Sequence, residues 1–182
     1  MIKFLICIWT ILGSPVTVYM VPEGRLYWTN VRPEDAKLCL PAAFTDTEGN
    51  VEGAYIIDGE SYNSNNKWKV SISDNTFYIS KDWVSNNGFQ QLILVRNNNP
   101  NRFKDPKKFI RRALCKNKDN VFIIESNSRM TLTEFANICK DYCSDAVYLD
   151  MGVYGYGTIG NRPLCLWTYL WKDLQTNWIC VE

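Results

Sequence analysis

Between Arg111 and Gly152 the chain spells a strand, a helix and a second strand, and each strand ends in a carboxylate. VFIIE (Val121–Glu125) and AVYLD (Ala146–Asp150) are rich in β-branched and aromatic residues and too short for helices. The segment between them has a start signal. Thr131-Leu-Thr-Glu134 fits a capping box, in which Thr131 accepts from a backbone N–H and Glu134 reaches back. Leu132, Phe135, Ala136, Cys139 and Cys143 then fall on one helical face, which predicts a helix over Thr131–Cys143. A helix of that length can cross over a sheet, so parallel pairing of the two strands is open, with a right-handed crossover. Neighbouring strands would bring Glu125 and Asp150 out at the same sheet edge, close to the basic pair Arg111 and Arg112.

The N-terminal two thirds reads differently. Leu38–Phe44 and Val51–Asp58 are strands around the turn Asp46–Asn50, and Asp58-Gly59 turns again. Trp68–Ser73 and Thr76–Ser80 form a second hairpin around Asp74-Asn75, and Phe89–Val95 is a further strand. Asp105–Ile110 is a short helix or turn; Leu164–Leu170 and Asn177–Val181 are closing strands. The fold class expected is α+β: antiparallel hairpins forming mixed β-sheets, with the strand–helix–strand unit in the C-terminal half.

At 182 residues the chain suits one domain with a core. Lys3, the apolar run Phe4–Leu12 and the break Gly13-Ser14-Pro15 read as a secretion signal over residues 1–20, leaving a single domain over 21–182; the rival is a buried N-terminal strand. The apolar run is too short to span a bilayer, so no stable membrane insertion is expected. A net charge of +1 argues against a nucleic-acid partner. Without Cys7, six cysteines remain, an even number that suits disulfides in a secreted or periplasmic chain. Cys165 and Cys180 are placed to staple the C-terminal tail; buried thiols are the alternative. Cys139-x3-Cys143 lacks a second ligand pair, so neither a metal nor another cofactor is expected. The chain has no histidine, so carboxylates, Lys, Tyr, Cys or a metal must carry any chemistry.

Several segments together resemble the phosphodiester glycosidase family, of which the lysosomal uncovering enzyme is the best known, and in particular its short bacterial relatives. They are PAAFTD with GNVEGAYIIDG, FQQLILV, RRALC, IIES with MTLTEFA, and AVYLDMG, spread over Leu38–Gly160 in the family's order. The resemblance implies a hydrolase that cleaves a sugar-1-phosphodiester. It implies Arg111, with Arg112 beside it, as the anion holder and Glu125 and Asp150 as the catalytic carboxylates. Gln90 or Gln91 falls near the family's glutamine, and Gly152 in its glycine segment. Tyr154 and Tyr156 are candidates to stack on a sugar ring or, equally, to pack over the core. Two departures stand out: Pro41 replaces an asparagine, and Met151-Gly152-Val153-Tyr154 replaces a glycine-rich stretch with a serine.

The expected partner is therefore a glycan or sugar phosphate, with the oligomeric state open. Two other classes compete: a non-catalytic carbohydrate or cell-envelope binding module, and a disulfide-stabilised interaction protein. Clustering of Arg111, Glu125 and Asp150 around one cleft would count against the last.

Overall fold

A computed structural model describes residues 8–9, 13–118, 120–151, 158–159, 162–163 and 177–182. Three sheets account for most of it, and every strand pair among the described residues is antiparallel. The fold is thus mainly β with one short helix, and the expected mixed sheets are instead antiparallel throughout.

The largest sheet has the order β1 (Ile8–Trp9), β2 (Val16–Met20), β13 (Asn120–Ser126), β12 (Arg112–Asn117), β14 (Asp145–Leu149), β10 (Ile93–Arg96), β11 (Asn99–Pro100). The two acid-ending strands are β13 and β14. They are not neighbours, because β12 lies between them and bonds antiparallel to both. Consequently β13 and β14 run in the same direction, and their acidic ends emerge at one edge. Direct parallel pairing does not occur, since the hairpin β12–β13 forms through the tight turn after Asn117 and leaves the free edge of β12 to β14.

The second sheet has the order β16 (Arg162–Pro163), β15 (Thr158–Ile159), β4 (Leu38–Pro41), β17 (Trp178–Val181), β3 (Leu26–Thr29). The third runs β6 (Glu60–Tyr62), β5 (Tyr55–Ile57), β9 (Gly88–Phe89), β7 (Lys69–Ser73), β8 (Thr76–Ser80). Two expected strands divide here. The first hairpin keeps one bridge, Thr45 to Val51, with β4 and β5 in different sheets. Phe89–Val95 breaks at Gln90–Leu92, where the chain crosses between sheets and side-chain amides replace ladder bonds: Gln91 accepts from Leu92 N at 2.8 Å. Asp105–Ile110 contains no helix; Phe109 bridges to Met130 instead.

Strand alternation sorts the large sheet into two faces. Leu114, Ile123, Val147 and Leu149 join Leu26, Trp28, Leu40, Val70, Phe89 and Ile179 in a core shared by all three sheets. Ala113, Cys115, Ile124, Ala146 and Tyr148 face the helix α1 (Leu132–Cys139). The capping box is present, with Glu134 N donating to Thr131 Oγ1 at 3.1 Å and Thr131 N donating to Glu134 Oε2 at 2.7 Å. Leu132, Phe135, Ala136 and Cys139 are the buried face, and burying side chains such as Leu132 and Phe135 contributes roughly 1.5–3 kcal/mol each. The helix stops at Cys139, four residues short of the expected end, although a last turn places Cys143 N on Cys139 O and keeps Cys143 buried.

Cys39 and Cys180 sit opposite each other on β4 and β17, with Cα atoms 4.2 Å apart, and are disulfide-bonded. The expected staple therefore exists on Cys180, but its partner is Cys39; the pairing of antiparallel neighbours decides it, and Cys165 lies outside the described residues. Cys115, Cys139 and Cys143 remain thiols, buried together beneath α1.

The expected boundary after residue 20 coincides with the end of β2, a strand bonded along its whole length to β13. Asn127 ties its entry: the Asn127 backbone N–H donates to Pro15 O, its side-chain amide to Ser14 O, and Thr17 Oγ1 donates to Asn127 Oδ1. Among the described residues no helix is long and apolar enough to cross a membrane.

Candidate functional site

The candidate site is at the sheet edge where β12 begins and β13 and β14 end. Arg112 is fully buried and lies opposite Glu125 on one side and Leu149 on the other. Its Nε and Nη2 both donate to Glu125 Oε2, at 2.8 and 2.7 Å. Two charge-assisted bonds to one oxygen leave Glu125 Oε1 as the half of the carboxylate not held by this fork. Glu125 is half-buried and opens towards Tyr19, whose phenol is pushed up by burial and by the Glu125 charge, with Arg112 opposing.

Arg111 has the opposite orientation, as alternation requires. It is buried on the helix side, with Nε donating to Met130 O at 3.2 Å and Nη2 to Lys107 O at 2.9 Å. Its backbone N–H donates to Ser126 Oγ, and its guanidinium lies over the Phe109 and Tyr148 rings. Arg111 thus clamps the segment before β12 to the helix start.

Asp150 is half-buried and directly follows β14, and its backbone N–H donates to Ala42 O at 2.9 Å. Gln91, also buried, donates its side-chain amide to the same carbonyl at 3.1 Å. Ala42 O therefore joins two expected site residues from distant parts of the chain. Gln90 Oε1 accepts from Ala54 N at 2.9 Å and Asn65 Nδ2 at 2.7 Å, which turns it towards the third sheet. Gly152, Tyr154 and Tyr156 lie outside the described residues.

Two contributors were not legible in the sequence. Tyr148 places its phenol where Arg111, Asp150 and Arg112 all act on it; burial pushes its proton affinity up, and the hydrogen bond from Arg111 draws it back. Tyr148 lies in β14 on the face that packs against α1, where the Arg111 guanidinium sits over its ring. Asn177 is fully buried and accepts from Ala43 N at 2.6 Å and Trp28 Nε1 at 3.2 Å, while donating to Ala43 O at 3.1 Å. It fixes the Ala42–Ala43 segment on which Asp150 and Gln91 rest. Nothing local marks Asn177, because its partners are over a hundred residues away. Pro41 closes β4 opposite Trp178 and is buried.

No protein-family model matches this chain, and no curated protein matches it.

Among the described residues no three side chains form a metal-ligating group. The arrangement offers, on one face, a fixed guanidinium and the carboxylate it holds, and on the other a phenol beside Arg111, with Asp150 at the end of β14. Adjacent strands lie about 4.8 Å apart, so the rows bearing Glu125 and Leu149 are separated by about 10 Å, with the buried Arg112 on β12 between them.

Proposed function

We propose that this protein is a hydrolase of a sugar-1-phosphodiester or a related glycosidic bond, acting on a glycan in a secreted or periplasmic setting. The observation that carries this reading is the convergence of Glu125, Arg112 and the Asp150 end of β14 on one sheet edge. The family resemblance points to the same residues, with the arginine duty moved from Arg111 to Arg112. The Cys39–Cys180 disulfide supports an oxidising compartment.

A glycosyl phosphate has a good leaving group, so stabilising charge matters more than protonating that group. Arg112 fixes the Glu125 carboxylate beside the reacting centre, where a negative charge favours an oxocarbenium-like carbon. Asp150 takes a proton from water as the water oxygen bonds to the anomeric carbon. The bond from that carbon to the phosphate oxygen breaks, and the phosphate leaves with the electron pair as a phosphomonoester. Tyr148 and the arginines favour the anionic product at that end.

The test is hydrolysis of the diester of N-acetylglucosamine 1-phosphate with p-nitrophenol, followed by released reducing sugar, alongside other sugars. Turnover by the wild type that vanishes in Asp150→Asn and Glu125→Gln is the expected result. A folded protein that binds these compounds without turnover would favour a carbohydrate-binding module. One observation leans that way: Arg112 and Glu125 already bond to each other, so a phosphate must compete for the guanidinium.

A further inference from the structure

A cavity of about 520 Å³ opens beside the candidate site, walled by Gln90, Gln91, Trp68, Lys67, Lys81 and Arg102. Two contacts link its lining to the sheet edge. Gln91 shares Ala42 O with Asp150, and the Phe44 ring, which also lines the cavity, packs on Tyr148 at 5.7 Å.

The wall is cationic. Lys67, Lys81 and Arg102 face one carboxylate, Glu52, and among the described residues none of the three is in a salt bridge. Below them Lys69, only 6% exposed, donates to the carbonyls of Lys81 at 2.6 Å, Asn65 at 2.7 Å and Lys67 at 3.4 Å. That buried ammonium meets backbone carbonyls and the Trp83 ring, so its charge adds to the positive potential of the wall. It also ties the two loops that carry Lys67 and Lys81. Trp68 is braced by Arg96 at 3.7 Å and Lys81 at 4.6 Å over its ring. Gln90 is set equally firmly, because a Cβ on Gly53 would lie 2.9 Å from Gln90 Cβ. Aromatic surface, side-chain amides and a net positive lining suit a saccharide that carries negative charge.

We propose that this cavity binds a second anionic group of the saccharide, so that the preferred ligand is a chain with more than one phosphate or carboxylate. As a statement about substrate it rests on the proposed hydrolase activity; as a binding site it stands on the cavity alone.

The test compares the wild type with Lys81→Gln/Arg102→Gln, two exposed positions whose change leaves the core intact, using calorimetric titration at low and high salt. The probes are a trimer of N-acetylglucosamine units joined by phosphodiesters, an oligogalacturonate, and neutral chitotriose. The expected result is that an anionic probe binds the wild type, that salt and the double substitution each weaken it by about tenfold or more, and that turnover of the small p-nitrophenyl diester is unchanged. Trimer or galacturonate binding alone then says whether the anion is phosphate or carboxylate. Equal affinity in the double variant, equal affinity for chitotriose, or no binding of either anionic probe would overturn the inference. Trimer binding that depends on Lys81 and Arg102, with no turnover of any substrate, would keep the cavity and remove the hydrolase.

Discussion

Arg111 and Arg112 are neighbours in sequence, share one side-chain chemistry, and do unrelated work. Arg112 points between the sheets, has its guanidinium buried, and pairs with Glu125. Arg111 points to the helix side and spends its donors on the carbonyls of Met130 and Lys107. A strand reverses its side chains at every residue, so a basic pair at a strand start is divided between two faces. One face of this sheet edge carries the Arg112–Glu125 pair, and the other holds in place the loop that makes the edge.

The comparison is most easily broken at Arg112. Arg112→Ala leaves Glu125 without its fork in a half-buried position, and a loss of about 3 kcal/mol is expected by urea denaturation, together with loss of any turnover. Arg112→Lys, which keeps the charge but not the fork, should recover part of the stability and little of the activity. If Arg112→Ala costs no more than a surface substitution, the ion pair is not structural.

Arg111→Ala should cost about 1–2 kcal/mol, from the lost bonds to the Met130 and Lys107 carbonyls. Its signature is different: at a temperature where the variant is folded, kcat should stay close to the wild-type value. A kcat loss as deep as that of Arg112→Ala would restore Arg111 to the anion-holding role.

The helix side can be weakened without touching either arginine. Thr131→Ala removes the cap and should cost about 1 kcal/mol, with no change in ligand affinity. Amide exchange in α1 reads the effect directly.

The smallest effect at neutral pH concerns the thiols on Arg111's face. Burial pushes the Cys115 and Cys143 thiols up, while their hydrogen bonds to Cys139 draw that third thiol down. As pH climbs past the ordinary thiol range of about 8.5, the unfolded chain releases these protons first, so stability is full below that pH and falls above it. Urea midpoints of the wild type should drop on the alkaline side, and Cys115→Ala should flatten that slope. An unchanged slope would show that other groups, such as the buried Tyr148, set the alkaline limit.

Much of the arrangement was legible from residues alone where the cause is local. The capping box at Thr131 and Glu134, the buried stripe from Leu132 to Cys139, and the hairpin of β7 and β8 around Asp74 all follow from residues a few positions apart. The two acid-ending strands were equally plain. What sequence reasoning misjudged depends on partners far along the chain. Cys180 bonds to Cys39 rather than Cys165 because β4 and β17 are sheet neighbours. Phe89–Val95 divides because Gln91 finds Ala42 O, forty-nine residues away in sequence.

By itself the sequence determined which residues are able to form strands, where the helix begins, and that two carboxylates stand at strand ends beside arginines. Those properties come from short-range sterics, hydrogen bonding and periodicity. Only the tertiary structure decided that β12 lies between the two acidic strands, that Arg112 rather than Arg111 meets Glu125, and that Ala42 joins Asp150 to Gln91. Strand order and the packing of three sheets on one core are properties of the whole chain, because each ladder bond and buried side chain is satisfied by whichever distant segment the common core brings to it.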